Sequence, residues 1–583
     1  MSEEAPSPNP ENRMDTIAIR IQAERERLMA ETGLQIAPLR HWKRPRELPF
    51  SRAERGQVTV WFGGLTLRHE ALIQAGLEGL GYRVGVIPTP RKADFQAGKE
   101  FGNHGQCNPT YFTVGALVNH LVRMRDEQAV PLERILRDHV FITAGACGPC
   151  RFGMYEAEYR LALRNSGFDG FRVLLFQQSG GLDQATDDAG IEFNPPFFIS
   201  LLNAFFMGDL LNEVAYQIRP YETEPGKTND VLARCVALAQ ESLRTMRYHD
   251  VRPGLRTQAL ARLTPMLGAD GVAKVLDQLT GSRYLDVLAR CRALVDAEIE
   301  VDFTRAKPVC KVTGEFWAQT TEGDGNFRMF SFLEGEGAEV LVEPVATWIT
   351  YMLHQATKKA RDRRGLRPDG STPRSGALVE RGRLALAYGR RRLAFAAADR
   401  IIGREYDRLR RALGGTAHRL VNQLELTRLG HPYYNSRAGG GEGHLEVAKN
   451  IYYANRDLCH MVLSLKPFGC MPSTQSDGAQ AAVVSHFKDM IFLPLETSGE
   501  GDVNAHSRVQ MALGEAKAKS REELARAVAR AGYPLEQIRA YVARHRELRR
   551  PLRPVPHHPG VVGRAANFVL DVAARMQAEG CPR

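Results

Sequence analysis

A local unit made of an apolar run, a cysteine-bearing loop and a helix occurs twice in this chain, and it constrains the fold strongly. The first copy spans 139–165 and the second spans 461–487. Further β-rich runs at 58–62 and 83–88 alternate with helical patterns. Strands that alternate with helices indicate a parallel, doubly wound sheet. The sequence therefore predicts an α/β protein with Rossmann-like (doubly wound) α/β domains and helical insertions.

The chain has 583 residues, enough for about three or four domains of roughly 150 residues each. Changes of pattern divide it into six predicted segments: an N-terminal helix and linker (1–50), a first α/β domain (51–195), a helical region (196–305), an α/β strand unit with an Arg-rich helical region (306–430), a second α/β domain (431–520) and a C-terminal helical segment (521–583). The two α/β domains carry the two cysteine units.

The sequence lacks the apolar patterns of export and membrane insertion. Its polar first residues contain no stretch of signal-peptide type, and no run approaches the ~20 apolar residues of a membrane span. We therefore expect a cytoplasmic protein with no membrane contact. Its thiols would stay reduced there, which favours metal or redox use of paired cysteines over structural disulfides.

The net charge of +11 comes largely from arginine and is concentrated in the segment 358–419. Acidic residues recur in this segment and aromatic residues are sparse. We therefore expect a solvated helical face or a protein contact rather than a nucleic-acid site. A surface for a CoA phosphate or for an acidic partner is the remaining interpretation.

The sharpest local motif is Cys147-Gly148-Pro149-Cys150. Glycine leaves the backbone unobstructed and proline restricts φ, so the loop can curl and direct both sulfurs at one point. Two thiolates one turn apart can ligate a soft metal or a cluster. No second CxxC lies nearby, which argues against a four-cysteine zinc ribbon. A thioredoxin-type redox pair and a structural pair are the alternatives.

Two further cysteines lie in loops that open helices. Cys107 is in a Gly-x-Cys-x-Pro loop, and Cys470 follows a strand and precedes a helix, whose dipole would stabilise a thiolate. Cys310 lies in a predicted strand, a position more typical of a core residue. The predicted metal and cofactor ligands are Cys107, Cys147, Cys150 and Cys470, with Cys310 as a weaker candidate.

The glycine run 439–443 precedes a helix and could cradle a phosphate there, although a plain turn is the alternative. It is not a Walker A sequence, because no Gly-Lys-Ser/Thr follows, and we find no other ATP-binding fingerprint. Polar residues near presumed strand ends could serve in proton transfer or be solvated loop residues. They are Glu442, His444, Glu496, Asp502 and His506.

Three runs together resemble the 2-hydroxyacyl-CoA dehydratase-related superfamily: Cys107-Asn108-Pro109-Thr110, Gly148-Pro149-Cys150-Arg151-Phe152-Gly153-Met154-Tyr155 and Lys466-Pro467-Phe468-Gly469-Cys470-Met471-Pro472-Ser473. The closer similarity is to its activase-associated branch, which is similar to the double-cubane cluster proteins. Gly314-Glu315-Phe316 with Asn326, and Gly441-Glu442-Gly443, also resemble that branch.

The resemblance implies an iron–sulfur cluster, of the 4Fe-4S or double-cubane type, held by cysteine thiolates between Rossmann-like domains. It also implies a partner, a separate homodimeric ATPase (an activase) of actin/Hsp70-like fold that injects one electron at very low potential. In the dehydratases that electron forms a ketyl radical on a thioester, which permits loss of the 2-hydroxyl group. Matched by position, the cluster ligands would be Cys107, Cys147, Cys150 and Cys470, with Cys310 weaker.

The expected function is that of a dehydratase or reductase component (a lyase or oxidoreductase), acting as a homo- or heterodimer on an acyl-CoA or a small unsaturated substrate. A non-catalytic electron carrier or activator scaffold, and a zinc- or thiol-based protein, are the alternatives. The segments 195–300 and 358–411 are not explained by the dehydratase pattern. We expect one cleft, with Cys107, Cys147 and Cys150 on one wall and Cys470 on the other.

Overall fold

The computed structural model describes residues 10–33, 47–145, 150–177, 181–182, 190–255, 257–258, 268–373 and 377–582. The chain divides into two compact units, Met1–Arg46 and Glu47–Arg583. The first unit contains helix α1 (Pro10–Thr32), whose side chains from residue 19 onward are largely exposed. Both sheets and all further elements belong to the second unit.

The first sheet is built from short β-branched and aromatic runs, as its sequence predicts. Its strands are β1 (Thr59–Phe62), β2 (Arg83–Val86), β3 (His139–Gly145), β4 (Arg172–Gln177) and β5 (Gly181–Leu182). Their order is β2-β1-β3-β4-β5, and only the short β5 runs antiparallel to its neighbour. The accompanying helices are α2 (Leu67–Gly79), α3 (Lys92–Phe101), α4 (Asn108–Asp126), α5 (Leu132–Asp138) and α6 (Tyr155–Asn165).

A helical region follows the first sheet. It contains α7 (Pro195–Ile218), α8 (Lys227–Arg244), α9 (Gly268–Thr280) and α10 (Arg283–Glu298). Contrary to the expectation that no run is that apolar, the stretch Pro195–Tyr221 is long and apolar enough to cross a membrane by length and composition, but 78% of its most apolar window is buried inside the protein. In this structure α7 is therefore a core helix.

The second sheet repeats the strand order of the first. Its strands are β6 (Val309–Gly314), β7 (Glu339–Leu341), β8 (Met461–Pro467) and β9 (Ile491–Thr497). All four are parallel, in the order β7-β6-β8-β9. Helices surround it: α11 (Met329–Gly335), α12 (Val345–Asp362), α13 (Leu378–Ala412), α14 (Gln423–Gly430), α15 (Gly443–Ala454), α16 (Met471–His486), α17 (Asp502–Ala531), α18 (Leu535–Arg544) and α19 (Arg564–Ala578).

The common order places a topological switch point in each sheet, between β1 and β3 in the first and between β6 and β8 in the second. Ligands of doubly wound sheets bind outside the carboxyl ends of the strands at such a point. The α/β class and the Rossmann-like architecture predicted from the sequence are confirmed.

A buried aspartate on α7 connects the two halves. Asp209 accepts the backbone N–H groups of Val345 and Ala346, at 2.7 and 2.9 Å, and so caps the start of α12. The same carboxylate lies 3.1 Å from Nε2 of His69 on α2. Because the first N–H groups of a helix have no partner within the helix, this capping stabilises α12 against α7.

A histidine on the first sheet makes stability sensitive to acid. The Trp61 indole N–H donates to Nδ1 of His139 at 3.0 Å, which requires that nitrogen to be unprotonated. Burial lowers the pKa of His139 to about 4. A folded-state pKa below the unfolded value means that the stabilisation is complete above about pH 6.5 and is lost as the pH falls toward about 4.

We therefore expect that lowering the pH from about 7.5 to about 5 reduces the free energy of unfolding of the native chain by about 1 kcal/mol more than that of the His139→Gln variant. This figure includes a reduction for solvent screening of the partly buried ring. Urea unfolding at the two pH values measures the difference. An equal loss of stability in both proteins would contradict the assignment of this acid sensitivity to His139.

Candidate functional site

Cysteine loops stand at the carboxyl edges of both sheets. β3 ends at Gly145 and leads toward Cys150, and β8 ends at Pro467 and leads to Cys470. Cys107 precedes the first residue of α4. One switch-point strand of each sheet, β3 or β8, is therefore followed by a cysteine loop, at the edge where doubly wound folds bind their ligands.

The Cys107 loop contains an unsatisfied polar group. The sulfur of Cys107 lies 3.0 Å from Oγ1 of Thr110 and 3.2 Å from the hydroxyl of Tyr155. Burial raises the pKa of this thiol, although both hydrogen bonds act in the opposite sense. The adjacent Asn108 is buried, and neither of its amide atoms has a partner among the described residues. Such a group is costly to bury, so Asn108 indicates that a further polar group belongs here.

Cys150 connects the first half of the molecule to the glycine run of the second half. Its backbone N–H donates to the carbonyl of Gly440 at 3.2 Å. The next residue, Arg151, donates to the carbonyl of Gly105 and so binds the Cys107 loop. Burial is the main cause that raises the pKa of the Cys150 thiol to about 12.

Cys470 occupies the N-cap position of α16, as Cys107 does in α4, and neither side chain makes a capping hydrogen bond. Its burial raises the pKa of the thiol, and the nearby carboxyl groups of Glu315 and Glu442 raise it further. The positive end of a helix dipole acts in the opposite direction and favours a thiolate. These thiols would therefore lose their protons together with the arrival of positive charge, as metal binding requires.

The Cys107 and Cys470 loops touch each other. The backbone N–H of Asn108 donates to the carbonyl of Phe468 at 2.9 Å. A methyl group on Gly469 would lie 3.0 Å from the carbonyl oxygen of Gln106 and 3.2 Å from Cα of Cys107. The two loops are therefore in backbone contact immediately beside both cysteines.

The Cys150 loop and the start of α16 meet at Gly441. A methyl group on Gly441 would overlap the ring of Pro472 and lie 3.7 Å from Cβ of Cys150. The three cysteine loops described by the structure therefore contact one another, directly or through the glycine run.

Two carboxyl groups lie beside the cysteines. Oε1 of Glu442 accepts the backbone N–H of Phe316 at 2.6 Å, and Oε2 of Glu315 accepts that of Ala318 at 2.9 Å. Burial raises the pKa of both carboxyls, and the charge of Glu442 raises that of Glu315 further. Both groups can therefore hold a proton near neutral pH, which limits the negative charge that accumulates around the thiols.

The described residues contain no group of three His, Cys, Asp or Glu side chains placed to hold one metal ion. Cys147 lies outside the described residues, and the Cys147–Cys150 pair stays a prediction. In an iron–sulfur cluster, different irons take different thiolates, so the ligands stand further apart than those of one ion. Among the described residues, the loops of Cys107, Cys150 and Cys470 therefore meet beside the unsatisfied Asn108 without forming a group that holds one ion.

Cys310, the weaker candidate, lies inside β6. It pairs in register with Met461 and is fully buried in the core of the second sheet. It lies four residues before the carboxyl end of the strand at Gly314, a distance of about 13 Å along the chain. This position is typical of a core residue. Cys235 and Cys291 likewise face each other in the core, with each sulfur within 3.8 Å of the other's carbonyl oxygen.

The predicted polar candidates separate into different environments. Glu442 lies beside the cysteines, whereas His506 stacks on Phe332 and bonds the carbonyl of Phe327. His444 is buried, and neither ring nitrogen has a partner among the described residues. Glu496 ends up within β9 and Asp502 at the start of α17.

Two contributors to the site, Asn108 and Tyr155, were not singled out in the sequence as functional side chains. Both lie in the cysteine motifs, but the local sequence around a loop amide or a tyrosine at a helix start does not indicate a functional role. Their roles depend on the tertiary contact of the Cys107 loop with α6.

The close approach at Gly469 can be tested against a matched glycine. Gly469 and Gly501 both have positive φ, +75° and +93°, but a Cβ would meet the Gln106 backbone only at Gly469. We expect Gly469→Ala to destabilise the protein by about 1–2 kcal/mol more than Gly501→Ala, because backbone strain is common to both and the loop contact is not. Urea unfolding of both variants gives the comparison, and equal losses would mean that the loop contact contributes nothing.

The fold and the site define an α/β protein whose two Rossmann-like sheets carry mutually contacting cysteine loops at their carboxyl edges. No protein-family model matches the chain, and comparison with curated proteins gives no match. The 2-hydroxyacyl-CoA dehydratase-related superfamily therefore remains a proposal based on the cysteine motifs.

Proposed function

We propose that this chain is a cytoplasmic iron–sulfur protein that receives low-potential electrons from a separate ATP-dependent activase, as components of the 2-hydroxyacyl-CoA dehydratases do. The observation that carries the proposal is the mutual contact of the Cys107, Cys150 and Cys470 loops at the edges of the two sheets. These cysteines and Cys147 would hold the cluster. When bound, the cluster would supply one-electron chemistry at low potential.

The chain's own groups support cluster binding in three ways. The starts of α4 and α16 direct positive dipole ends toward Cys107 and Cys470, which favours thiolate ligands. Glu315 and Glu442 can remain protonated beside an electron-rich centre. The unpartnered amide of Asn108 could donate to a cluster sulfide or a ligand sulfur.

The glycine run 439–443 supports the need for an ATPase in trans. The Gly440 carbonyl accepts the N–H of Cys150, and Gly441 packs on Pro472. The run is thus engaged in holding the cysteine loops, and the sequence offers no other phosphate-binding motif. The proposal assigns the supply of energy for a low-potential transfer to that separate partner.

The decisive experiment is anaerobic purification of the full chain, followed by iron, acid-labile sulfide and visible-absorption measurements. We expect a brown protein with roughly four irons and four sulfides per cubane cluster. A colourless protein that contains zinc, or no metal and no sulfide after anaerobic reconstitution, would refute the proposal.

A non-catalytic electron carrier is a second candidate, and the small size of one cavity beside the site favours it. A cavity lined by Phe316, Glu343 and Lys449 holds only about 10 Å³. A larger cavity of about 540 Å³ lies between residues of α9, α10 and α13 and has no cysteine in its lining. Turnover of an acyl-CoA or a small unsaturated molecule, in the presence of the activase, ATP and a strong reductant, would establish the enzyme. Reduction of the cluster without turnover would establish the carrier.

A further inference from the structure

Helix α13 presents a long exposed arm. Its last third is anchored, because Tyr406 and Leu409 are buried and the Arg408 guanidinium donates to the carbonyls of Gln278 and Leu279 at the end of α9. The preceding part, residues 378–401, is about 36 Å long at 1.5 Å per residue. Only one of its faces, with Leu384, Tyr388 and Phe395, is partly covered by protein.

A second apolar stripe lies on the opposite face of the arm. Val379, Leu386 and Leu393 recur at every seventh residue, and 72%, 57% and 72% of their surfaces are exposed. At 100° per residue, these side chains point roughly 180° away from the covered face. A regular heptad stripe of this kind is the seam by which one helix packs on another.

Glycines occupy the second core position of the heptad, three residues after the apolar one. Gly382 and Gly389 lie three residues after Val379 and Leu386, and a Cβ on either glycine would meet no atom within 4 Å. Each glycine inside a helix costs about 1 kcal/mol relative to alanine. No contact within the described structure requires glycine at these two positions. Close packing of a partner helix would require it, because glycine lets two helix backbones approach each other.

The flanks of the stripe are basic. Between residues 378 and 404 there are seven arginines and two acidic residues. None of these seven arginine side chains bonds a described residue, whereas neighbouring arginines are paired, as in Arg367–Glu380 and Arg408–Glu405. Arg383 and Arg390 fall on one side of the stripe and Arg392 falls on the other, at the heptad positions whose charges select a partner.

We propose that the exposed stripe of α13 is a docking surface for an acidic amphipathic helix of another protein. A second copy of this chain would bring arginine against arginine at the flanking positions, which disfavours self-pairing. A membrane or a nucleic acid would use the arginines but would not require narrow heptad spacing with glycines. This inference does not depend on the iron–sulfur proposal, and it can be tested on protein without a cluster.

The test uses the full chain and two labelled designed helical peptides. Both have leucine at the heptad core positions, and one has glutamate and the other lysine at the flanking positions. We expect the glutamate peptide to bind, and binding to fall at least tenfold in Leu386→Ser/Leu393→Ser and in Arg383→Glu/Arg390→Glu. The reversed-charge arm should instead bind the lysine peptide. Arg521→Glu/Arg530→Glu on α17 changes the net charge equally and should bind like the native chain.

Several results would overturn the proposal. The first is that the glutamate peptide does not bind the native chain, and the second is that the α17 control loses as much peptide binding as the arm variants. The third is self-association of the native chain in sedimentation that the arm variants abolish. Tighter binding of phosphatidylserine vesicles or of polyuridine RNA through the same leucines would also overturn it. Circular dichroism and urea unfolding of each variant check that total helix content and stability are kept when binding is lost.

Discussion

Replacing Cys470 by serine is expected to lower the iron and acid-labile sulfide content of the anaerobically purified protein at least tenfold. Among the three described cysteines of the site, Cys470 alone comes from the second sheet, and its loop contacts that of Cys107. A serine hydroxyl is a much poorer ligand for iron in a cluster than a thiolate. Cluster content per folded chain is the measured quantity.

Cys459→Ser is the matched control for this substitution. Cys459 and Cys470 are both 7% exposed, so the two variants introduce a hydroxyl at equally buried positions. Cys459 lies in a core cluster with Val462 and Leu445. If Cys459→Ser loses the cluster and Cys470→Ser keeps it, the site lies elsewhere. Urea unfolding of both variants separates loss of ligation from loss of folding.

Loss of iron and sulfide in the Cys107→Ser and Cys150→Ser variants would show that the first sheet also contributes cluster ligands. Cys310→Ser distinguishes the weaker ligand candidate from a core residue. Because Cys310 is fully buried in β6, its hydroxyl variant should lower stability but keep the iron content per folded chain.

The α/β class could be predicted from sequence because periodicity is local. Val58 to Phe62 and Met461 to Leu465 are apolar runs between turn and helix signals, and each forms a strand. The shared strand order of the two sheets could not be predicted, because register and neighbour choice depend on long-range pairing. The first α/β region also gained a helix, α3, that local periodicity had not indicated.

The cysteine loops of the candidate site could be proposed from sequence, but their contacts could not. Glycine and proline beside Cys107 and Cys470 mark helix starts, which is a local property. The contact of Gly469 with the Gln106 backbone depends on how the two sheets are arranged. The raised pKa of Glu442 is likewise a tertiary effect, because burial causes it and a glycine-rich loop gives no sign of burial.

A buried ion pair behind the site gives the largest predicted change in stability. Nζ of Lys311, in β6, lies 3.0 Å from Oε2 of Glu343, and the side chains are 0% and 5% exposed. Burial would raise the pKa of Glu343, but Lys311, Lys449 and hydrogen bonds hold it below its ordinary value. The Lys311 ammonium also lies 4.0 Å from the ring centroid of Tyr453. The Glu343 carboxyl is therefore ionised, and its buried charge depends on Lys311.

Lys311→Met is expected to reduce the free energy of unfolding by about 3–5 kcal/mol, because it leaves the Glu343 carboxylate buried without its main partner. The double variant Lys311→Met/Glu343→Gln should recover at least half of this loss. Glutamine keeps the oxygen that accepts the Thr347 hydroxyl and carries no charge. Urea unfolding of the native chain, both single variants and the double variant gives the coupling energy.

Additive losses in this cycle would contradict the mutual dependence of the pair, since independent sites show no coupling. The cycle also separates stability from function. β6 leads directly to Glu315, so a displaced strand would disturb the cysteine site as well. If the double variant regains stability, it should also regain the iron content of the native chain. The charge pair would then hold β6 in place, and the chemistry would belong to the cysteine loops at the edges of the two sheets.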